Sequence, residues 1–219
     1  MIRLAWRQFT CTLPSRFQIK VRMAVIIRPM TLEDIPQVHA IDVLSFSLPW
    51  PERSYQFELT KNPSTRLWVA ELISAEHPLG SSEQPSGTAG ESLSDEKHQI
   101  VGMLVMWHII DEAHIGTFAV HPDYRRRGIG RKLLAYALLK AARRGMRRVF
   151  LEVRASNLAA QELYRQFGFQ VDGVRPRYYS DKNEDALLMS LEPVDLESLQ
   201  RLVQSFEDSP HFSEGEDSE

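Results

Sequence analysis

The feature that most constrains this chain is a turn rich in glycine and arginine near its middle, residues 125–131, RRRGIGR. A strand-like apolar run, 115–120, precedes the turn, and a helix-like run, 129–144, follows it. Backbone amides and the positive end of the helix dipole converge at such a helix start, and glycine lets a ligand approach closely. The turn therefore predicts an anion site, to which the neighbouring arginines add charge-assisted contacts.

Two common nucleotide-binding motifs do not fit this turn. The dinucleotide fingerprint G-x-G-x-x-G needs a third glycine where the chain has Leu133, and the phosphate loop G-x-x-x-x-G-K-[ST] is absent. The pattern that does fit is [QR]-x-x-G-x-[GA], with Arg125, Gly128 and Gly130 in the specified places. The alternative interpretation is a basic turn into a surface helix that binds no ligand.

Hydrophobic periodicity predicts a mixed α/β sheet. Strands are expected at 25–28, 67–73, 100–110, 114–120, 148–153, 169–175 and 186–191, and helices at 35–45, 52–61, 129–144 and 157–167. A polar helix follows Pro193, and an acidic tail follows that helix. The length of 219 residues fits one sizeable domain with appendages.

Three segments stand outside the predicted domain, residues 23–195. Residues 1–22 form a basic extension, expected to be disordered or untranslated because Met23 directly precedes the first predicted strand. Of the 26 residues in 74–99, eleven are Ser, Gly or Pro, which predicts a flexible insertion in a hairpin. Residues 196–219 are expected to be a polar helix and a disordered acidic tail.

Composition excludes several classes of protein. The one cysteine, Cys11, excludes an internal disulfide framework and a cysteine-based metal cluster, which suits the cytoplasm. No apolar run approaches the roughly 20 residues of a membrane span. Residues 125–148 carry ten Arg or Lys and no acid, but the net charge of −3 and the lack of a zinc-finger or RNP-type pattern argue against nucleic-acid binding. No metal site is expected.

The segment 118–131, FAVHPDYRRRGIGR, resembles the acetyl-CoA-binding motif of GNAT N-acetyltransferases. The resemblance implies the GNAT fold, an α/β fold with a mixed, mostly antiparallel and splayed sheet flanked by helices, and acetyl-CoA as co-substrate within the splay. The residues implied to bind it are Phe118, Ala119, Val120, Arg125, Arg126, Arg127, Gly128, Ile129, Gly130, Arg131, Asn157 and Tyr164. For Asn157 the alternative is a helix N-cap.

Acetyl transfer to an amine requires a base, donors for the developing oxyanion, and a proton or hydrogen bond for the leaving thiolate. Glu152 is a lone acid in an apolar strand, so it is the candidate base; a salt bridge to Arg154 or to the basic helix is the alternative. Tyr164 is the candidate acid, and a core aromatic is its alternative. A bulge in the strand 116–120 can supply the oxyanion donor, with the amides near Ala119 and Val120 favoured.

A closer resemblance is to the RimI family of ribosomal-protein-alanine N-acetyltransferases. It is carried by LEVRASN at 151–157, Leu163-Tyr164, the FGF at 167–169, Tyr178-Tyr179 and the EDA at 184–186. In that family the residues matching Glu152 and Tyr164 are base and acid, and the acceptor is the N-terminal alanine of a ribosomal protein.

The sequence signal for the residues on the substrate side is less specific. The loop 46–51 matches the family's substrate-side loop, and the candidate walls for the peptide are Phe46, Trp50, Tyr178 and Tyr179, each with core packing as its alternative. Asp181, Glu184 and Asp185 can attract a basic peptide or simply be solvated. Broader N-terminal, lysine or small-amine acetylation, and non-catalytic acyl-CoA binding, remain the alternative functions.

Overall fold

The computed structural model describes residues 7–9, 19–78 and 97–208. Strands and helices alternate there as the patterning predicts, and no helix in these ranges is long and apolar enough to span a bilayer. In chain order the elements are β1 (Arg7–Phe9), β2 (Ile19–Pro29), α1 (Ile35–Ser45), α2 (Glu52–Thr60), β3 (Thr65–Pro78), β4 (Lys97–Ile109), β5 (Glu112–Val120), α3 (Ile129–Arg143), β6 (Arg148–Arg154), α4 (Leu158–Gln166), β7 (Gln170–Tyr179), β8 (Glu184–Leu191) and α5 (Leu196–Asp208).

The described strands form one sheet in the order β1-β2-β3-β4-β5-β6-β8-β7. Every neighbouring pair is antiparallel except β5 and β6, which run parallel. A parallel pair needs a crossover connection, which α3 supplies between them. The predicted mixed, mostly antiparallel sheet is confirmed.

The sheet opens between its two parallel strands. β5 and β6 pair only from Glu112 to Ile115, opposite 148–151, although β5 continues to Val120 and β6 continues to Arg154. Beyond these short paired segments the strands diverge, so each leaves one backbone edge without a neighbouring strand. The splay expected from the GNAT resemblance is confirmed, and this opening is called the β5–β6 cleft below.

Helices cover both faces of the sheet. Alternate residues of β3 belong to different cores, since Trp68 and Ala70 pack with α3 whereas Val69 packs with α1. The buried stripe of α3 has the predicted helical spacing, and its members are Ile129, Leu133, Leu134, Ala137, Leu138 and Ala141. After α3 the backbone turns at Gly145, whose φ of 79° gives the left-handed conformation expected of a glycine cap.

Three strands extend into segments that the sequence predicted to be flexible or disordered. β2 begins at Ile19 and pairs with β3 as far as Pro78, and β4 begins at Lys97, so 19–22, 74–78 and 97–99 are strand rather than extension or insertion. β1 lies within the extension as well. For β2, the apolar alternation of Ile19, Val21, Met23 and Val25 carries this signal. Residues 1–6, 10–18 and 79–96 lie outside the described residues.

The helix after Pro193 is amphipathic and packs on the core instead of standing apart from the domain. Leu199 of α5 is buried, and Leu202, Val203 and Phe206 contact the same core. The Phe206 ring meets Phe167 edge-on at 5.4 Å. These apolar residues recur at i, i+3, i+4 and i+7, which is the spacing of a docked helix. The predicted acidic tail, 209–219, lies outside the described residues.

Candidate active site

The glycine-rich turn joins the end of β5 to α3 through two left-handed residues. Arg126 has φ 63° and Gly128 has φ 75°, a conformation that costs glycine little. The first α-helical bond in α3 is donated by the amide of Lys132 to the carbonyl of Gly128, at 3.0 Å. Helix geometry gives the amides of the first turn, beginning at Ile129, no acceptor within the helix. The turn therefore has the backbone of an anion site.

The turn packs directly against the cleft. A Cβ placed on Gly130 lies 3.5 Å from Phe118 Cζ and 3.5 Å from Leu163 Cδ2. The start of α3 thus rests on β5 and on α4, the helix that carries Tyr164. These predicted cofactor-binding residues, distant in sequence, are brought together at one end of the cleft.

The arginines of the turn contact the protein itself. Arg125 donates from Nε to the Val120 carbonyl, at 3.0 Å, and from Nη2 to Ser45 Oγ, at 3.2 Å. The Arg127 guanidinium lies 5.2 Å from the Tyr124 ring centroid. Arg125 therefore ties the turn to β5 and α1, a structural contact that the motif alone did not predict.

A bulge interrupts β5 at Gly116. Thr117 is opposite Val105 and Ile115 is opposite Met106, so Gly116 is the extra residue. The bulge falls within the predicted strand, but it precedes the favoured amides of Ala119 and Val120, which pair in regular register with β4. Glycine is required at 116 because an added Cβ is 2.4 Å from the Trp107 ring.

Glu152 stands at the point where the two parallel strands separate. It is the residue of β6 directly after Leu151, the last one paired with β5. Its carboxylate forms an ion pair with Arg175 of β7 at 3.2 Å, and the side chain is 32% exposed. The alternative partners expected from the sequence, Arg154 and the basic helix, are not the ones observed.

Tyr164 is buried on the inner face of α4. Its ring centroid is 6.3 Å from that of Phe118 on β5 and 5.7 Å from that of Phe169. Burial is the main cause that raises the pKa of the Tyr164 phenol, and a negative charge on Tyr179 at high pH adds to it, so the hydroxyl is protonated at neutral pH. Tyr164 is thus both a core aromatic, as its periodicity predicted, and a neighbour of β5.

Tyr179 connects the two candidate catalytic residues. Its hydroxyl donates to the backbone carbonyl of Glu152, at 3.3 Å, and its ionisation at high pH would further raise the pKa of Tyr164. Burial is the main cause that raises the pKa of Tyr179 to about 12, and Arg154 opposes the rise. Tyr179 was predicted as a wall of the peptide site, and the structure puts it beside Glu152.

Arg154 holds three segments together, and this arrangement was not predicted. Its Nη2 donates to Asp181 Oδ2 at 2.8 Å and to Ser47 Oγ at 3.2 Å, and its Nη1 donates to Glu184 Oε2 at 3.0 Å. The guanidinium stacks 4.0 Å from the Tyr179 ring centroid. We call Arg154, Asp181, Glu184 and Ser47 the Arg154 clamp.

The clamp changes the interpretation of the acidic hairpin. Hydrogen bonds from Ser47 and Arg154 hold the pKa of Asp181 below its usual value, and bonds from Ser156 and Arg154 do the same for Glu184. Asp185 accepts from the amide of Arg177 at 2.7 Å. Attraction of a basic peptide by free carboxylates is therefore weakened, since the protein's own donors already occupy these carboxylates. The Ser47–Asp181 hydrogen bond joins loop 46–51 to the β7–β8 hairpin.

The four aromatics predicted to line the peptide site differ in their exposure and contacts. Trp50 stacks on Trp107, with centroids 5.9 Å apart, and its amide donates to Asp42 Oδ2 at 2.6 Å, so its role here is packing. Phe46 and Tyr178 are 36% and 46% exposed, and Tyr178 meets Tyr179 edge-on at 5.1 Å. Phe46 and Tyr178 are the members of the set available to a ligand.

Asn157 is the N-cap of α4, because its Oδ1 accepts from the amide of Ala160 at 3.2 Å. This is the structural role that the sequence offered as the alternative. Within the described part of the chain, the side-chain amide nitrogen of Asn157 makes no hydrogen bond. Among the described residues, no three His, Cys, Asp or Glu side chains come together as a metal site.

Comparison with known proteins agrees with this geometry. Residues 35–169 match the model of the acetyltransferase (GNAT) family. The [ribosomal protein bS18]-alanine N-acetyltransferase of Escherichia coli K12 is 29% identical over 75% of this chain and 95% of its own length. A Bacillus subtilis protein, provisionally given the same activity, is 34% identical over 74% of this chain and 92% of its own.

The crystal structure of the Escherichia coli ribosomal-protein-S18-alanine N-acetyltransferase superimposes with a TM-score of 0.60 at 27% identity. The match covers 78% of this chain and 94% of that one. The similarity therefore extends over nearly the whole length of that enzyme, beyond the short pyrophosphate motif.

Proposed function

The chain belongs to the acetyltransferase (GNAT) family, and on that basis we propose that it acetylates the N-terminal α-amine of a ribosomal protein whose first residue is alanine. The acetyl donor in this proposal is acetyl-CoA. One observation carries the proposal beyond the family: Glu152, the residue matched to the RimI base, stands where β5 and β6 separate. Similarity over 95% of the length of an enzyme named for this reaction supports the choice of acceptor.

The residues of the cleft fit acetyl-CoA. Its pyrophosphate would lie on the first-turn amides of α3, after the left-handed Gly128. Its pantetheine would follow the open edge of β5, where amides and carbonyls beyond Ile115 have no neighbouring strand in β6. We assign the side-chain amide nitrogen of Asn157 as a hydrogen-bond donor to the pantetheine.

In the proposed mechanism Glu152 accepts the proton of the attacking amine through a water molecule. A model carboxylate titrates near 4.3 and an α-amine near 8, so a direct transfer is uphill by roughly 5 kcal/mol. The amine helps, because roughly a tenth of it is already neutral at pH 7. The Tyr179 hydroxyl fixes the backbone of Glu152 by its hydrogen bond to the carbonyl.

Tyr164 acts on the leaving group. Because burial raises the pKa of its phenol, complete transfer of the proton to a thiolate is unfavourable. We therefore assign Tyr164 a strong hydrogen bond to the thiolate, which forms as the C–S bond breaks. The contact of Tyr164 with Phe118 supports this role, since Phe118 lies on the strand that the pantetheine would follow.

On the peptide side, Phe46 and Tyr178 are the exposed aromatics beside the clamp. Because Ser47 and Asp181 join their two segments, we assign these segments as one wall for the first residues of the acceptor. Alanine fits this proposal as a small first residue that brings its amine close to Glu152.

The test is acetyl transfer to two Arg-rich peptides. One begins with a free alanine; the other begins with an acetyl-blocked alanine and carries an internal lysine. Mass spectrometry should find modification of the free N-terminus only. Modification of lysine would place the protein in another branch of the family. Binding of acetyl-CoA without transfer to either peptide would contradict the proposal and favour a small-amine acceptor or a non-catalytic module.

A further inference from the structure

A cavity lies away from the β5–β6 cleft, between the end of α2, the start of β3 and the C-terminal half of α3. Its volume is about 410 Å³, within the range of roughly 300–1,000 Å³ typical of small-molecule sites. A rise of ~1.5 Å per residue puts Arg144 about 22 Å along α3 from Ile129, at the pyrophosphate turn. We call this space the distal cavity. Its lining includes Arg66, Trp68, Tyr136, Lys140 and Arg144.

The cations of the distal cavity have no acidic partner within the described part of the chain. No carboxylate there forms an ion pair with Arg66, Lys140 or Arg144. Arg66 donates from Nη1 to the carbonyls of Pro63 and Thr65, at 2.8 and 2.6 Å, but among the described residues its buried Nε has no hydrogen-bond partner. A buried guanidinium nitrogen without an acceptor is costly, so this position favours a ligand that supplies an acceptor oxygen.

The same cations repel each other. Burial and the charge of Arg144 lower the pKa of Arg66. Burial, followed by the charges of Arg66 and Arg144, lowers the pKa of His108 on β4 to about 4, so its ring is neutral at pH 7. The Nδ1 of His108 is buried and has no partner among the described residues. An anion would relieve this repulsion.

The one carboxylate in the lining is already engaged. Glu58 Oε2 accepts from Asn62 at 2.8 Å, from the Trp107 indole at 3.1 Å and from Thr65. These three neutral donors hold it on the α2 side. The opposite wall, from α3 and β3, therefore keeps its positive charge.

We propose that the distal cavity binds a phosphoryl anion, held by Arg66, Lys140 and Arg144. A doubly charged oxyanion offsets the repulsion of several cations better than a single carboxylate, and the guanidinium fork matches phosphate geometry. Tyr136, with Trp68 packed edge-on against it at 6.1 Å, supplies an aromatic wall for the organic part of a ligand. A phosphorylated small molecule and the phosphodiester backbone of RNA offer the same chemistry.

Histidine NMR on the full chain tests this inference, with pyrophosphate as the probe and one equivalent of CoA present to occupy the other anion site. We expect pyrophosphate to shift the ring signals of His108, assigned with His108→Gln, and to raise its pKa. Arg144→Gln should weaken this binding by about tenfold or more. Arg143→Gln removes the same charge one residue earlier, outside the cavity lining, and should bind as the unchanged protein does.

The outcomes separate site binding from general surface charge. Equal weakening by Arg143→Gln and Arg144→Gln would overturn the inference, and so would an unshifted His108 at millimolar pyrophosphate. Competition by AMP that depends on Arg144 would identify a phosphorylated small molecule as the ligand type. Competition by a short RNA duplex, but not by AMP, would identify the phosphodiester backbone. Neither result depends on acetyl transfer.

Discussion

Glu152 and Tyr164 are held in unlike environments, and their expected contributions to the reaction differ accordingly. Glu152 is partly exposed and paired with Arg175, whereas Tyr164 is buried among aromatics. A base has to exchange protons with solvent, and a phenol that donates a hydrogen bond to a thiolate gains strength away from water. The effects of substituting the two residues on kcat should therefore differ in their dependence on pH.

For Glu152→Gln we expect kcat to fall by about 100-fold at pH 6 and much less at pH 9. The α-amine has a pKa of about 8, so it is mostly neutral at high pH and no longer needs a base. Measuring kcat from pH 6 to 9.5 with the alanine peptide checks this. A loss that is the same at every pH would contradict the role of base.

For Tyr164→Phe we expect kcat to fall by about 10- to 100-fold, the value of one strong hydrogen bond, while acetyl-CoA binds nearly as before. The substitution keeps the ring that packs between Phe118 and Phe169. Steady-state kinetics with calorimetric binding of acetyl-CoA separates the two effects. If affinity fell and kcat did not, Tyr164 would be a packing residue only.

The two glycines of the turn should respond differently to alanine. Gly128 has a left-handed backbone, so Gly128→Ala should cost about 1–2 kcal/mol of unfolding free energy. Gly130 lies within the first turn of α3, and an added Cβ finds ordinary contacts at 3.5 Å, so Gly130→Ala should be neutral or slightly stabilising. Urea unfolding of both variants measures this difference, and equal losses would contradict the role of the left-handed conformation.

At the scale of elements, the Arg154 clamp connects β6, loop 46–51 and the β7–β8 hairpin. The carboxylates of Asp181 and Glu184 are 11% and 17% exposed, which shields their ion pairs from solvent better than at an open surface. These connected elements carry Glu152 and the exposed aromatics Phe46 and Tyr178. The clamp therefore sets the distance between the proposed peptide wall and the base.

The clamp predicts a pH-dependent contribution to stability. Folding lowers the pKa of Asp181 and Glu184 below the ordinary values of 3.8 and 4.5. Their contribution is then fully present above those values and is lost as pH falls through the lower, folded-state pKa values. Arg154→Gln should thus destabilise the protein at pH 7, and the difference from the unchanged protein should shrink below about pH 4.

Thermal unfolding between pH 3 and pH 8 measures that difference. Arg147→Gln is the matched control, because its ion pair with Asp111 is long, at 3.9 Å, and its side chain is 78% exposed. An exposed pair of this kind contributes little, so the control should track the unchanged protein at each pH. A difference for Arg154→Gln that stays constant with pH would contradict the clamp.

At the scale of the whole molecule, α5 extends the core beyond the boundary predicted at residue 195. It packs on α3, the helix whose first turn forms the proposed anion site. Leu199→Ala should lower the free energy of unfolding by about 2–4 kcal/mol, because it leaves a cavity at a side chain that is 4% exposed. The control is Gln200→Ala, at the exposed neighbouring residue, which should change the free energy of unfolding by less than about 0.5 kcal/mol. Chemical denaturation measures both changes. Similar losses of unfolding free energy for Leu199→Ala and Gln200→Ala would show that α5 is not part of the core.

Much of the architecture was predictable, because local patterns encode it. The stripe of α3, the α4 cap at Asn157 and the glycine after α3 each follow from residues close in sequence. The strand ends and the docking of α5 on the core were missed for different reasons. A low-complexity segment obscured the strand alternation around 74–99, and the acidic residues after 206 hid the apolar face of α5.

The sequence by itself determined the α/β class, the glycine-rich turn into a helix and the two candidate catalytic residues, because each depends on short-range pattern or on a local motif. Only the tertiary structure decided which charged residues contact one another. Arg175 pairs with Glu152, Arg154 joins β6 to the hairpin and the loop, and Arg66 faces Arg144 with no ion-paired acid among the described residues. Ion pairs and cavities depend on which strands become neighbours across the sheet, and pairing between residues far apart in the chain leaves no local signal in a single sequence.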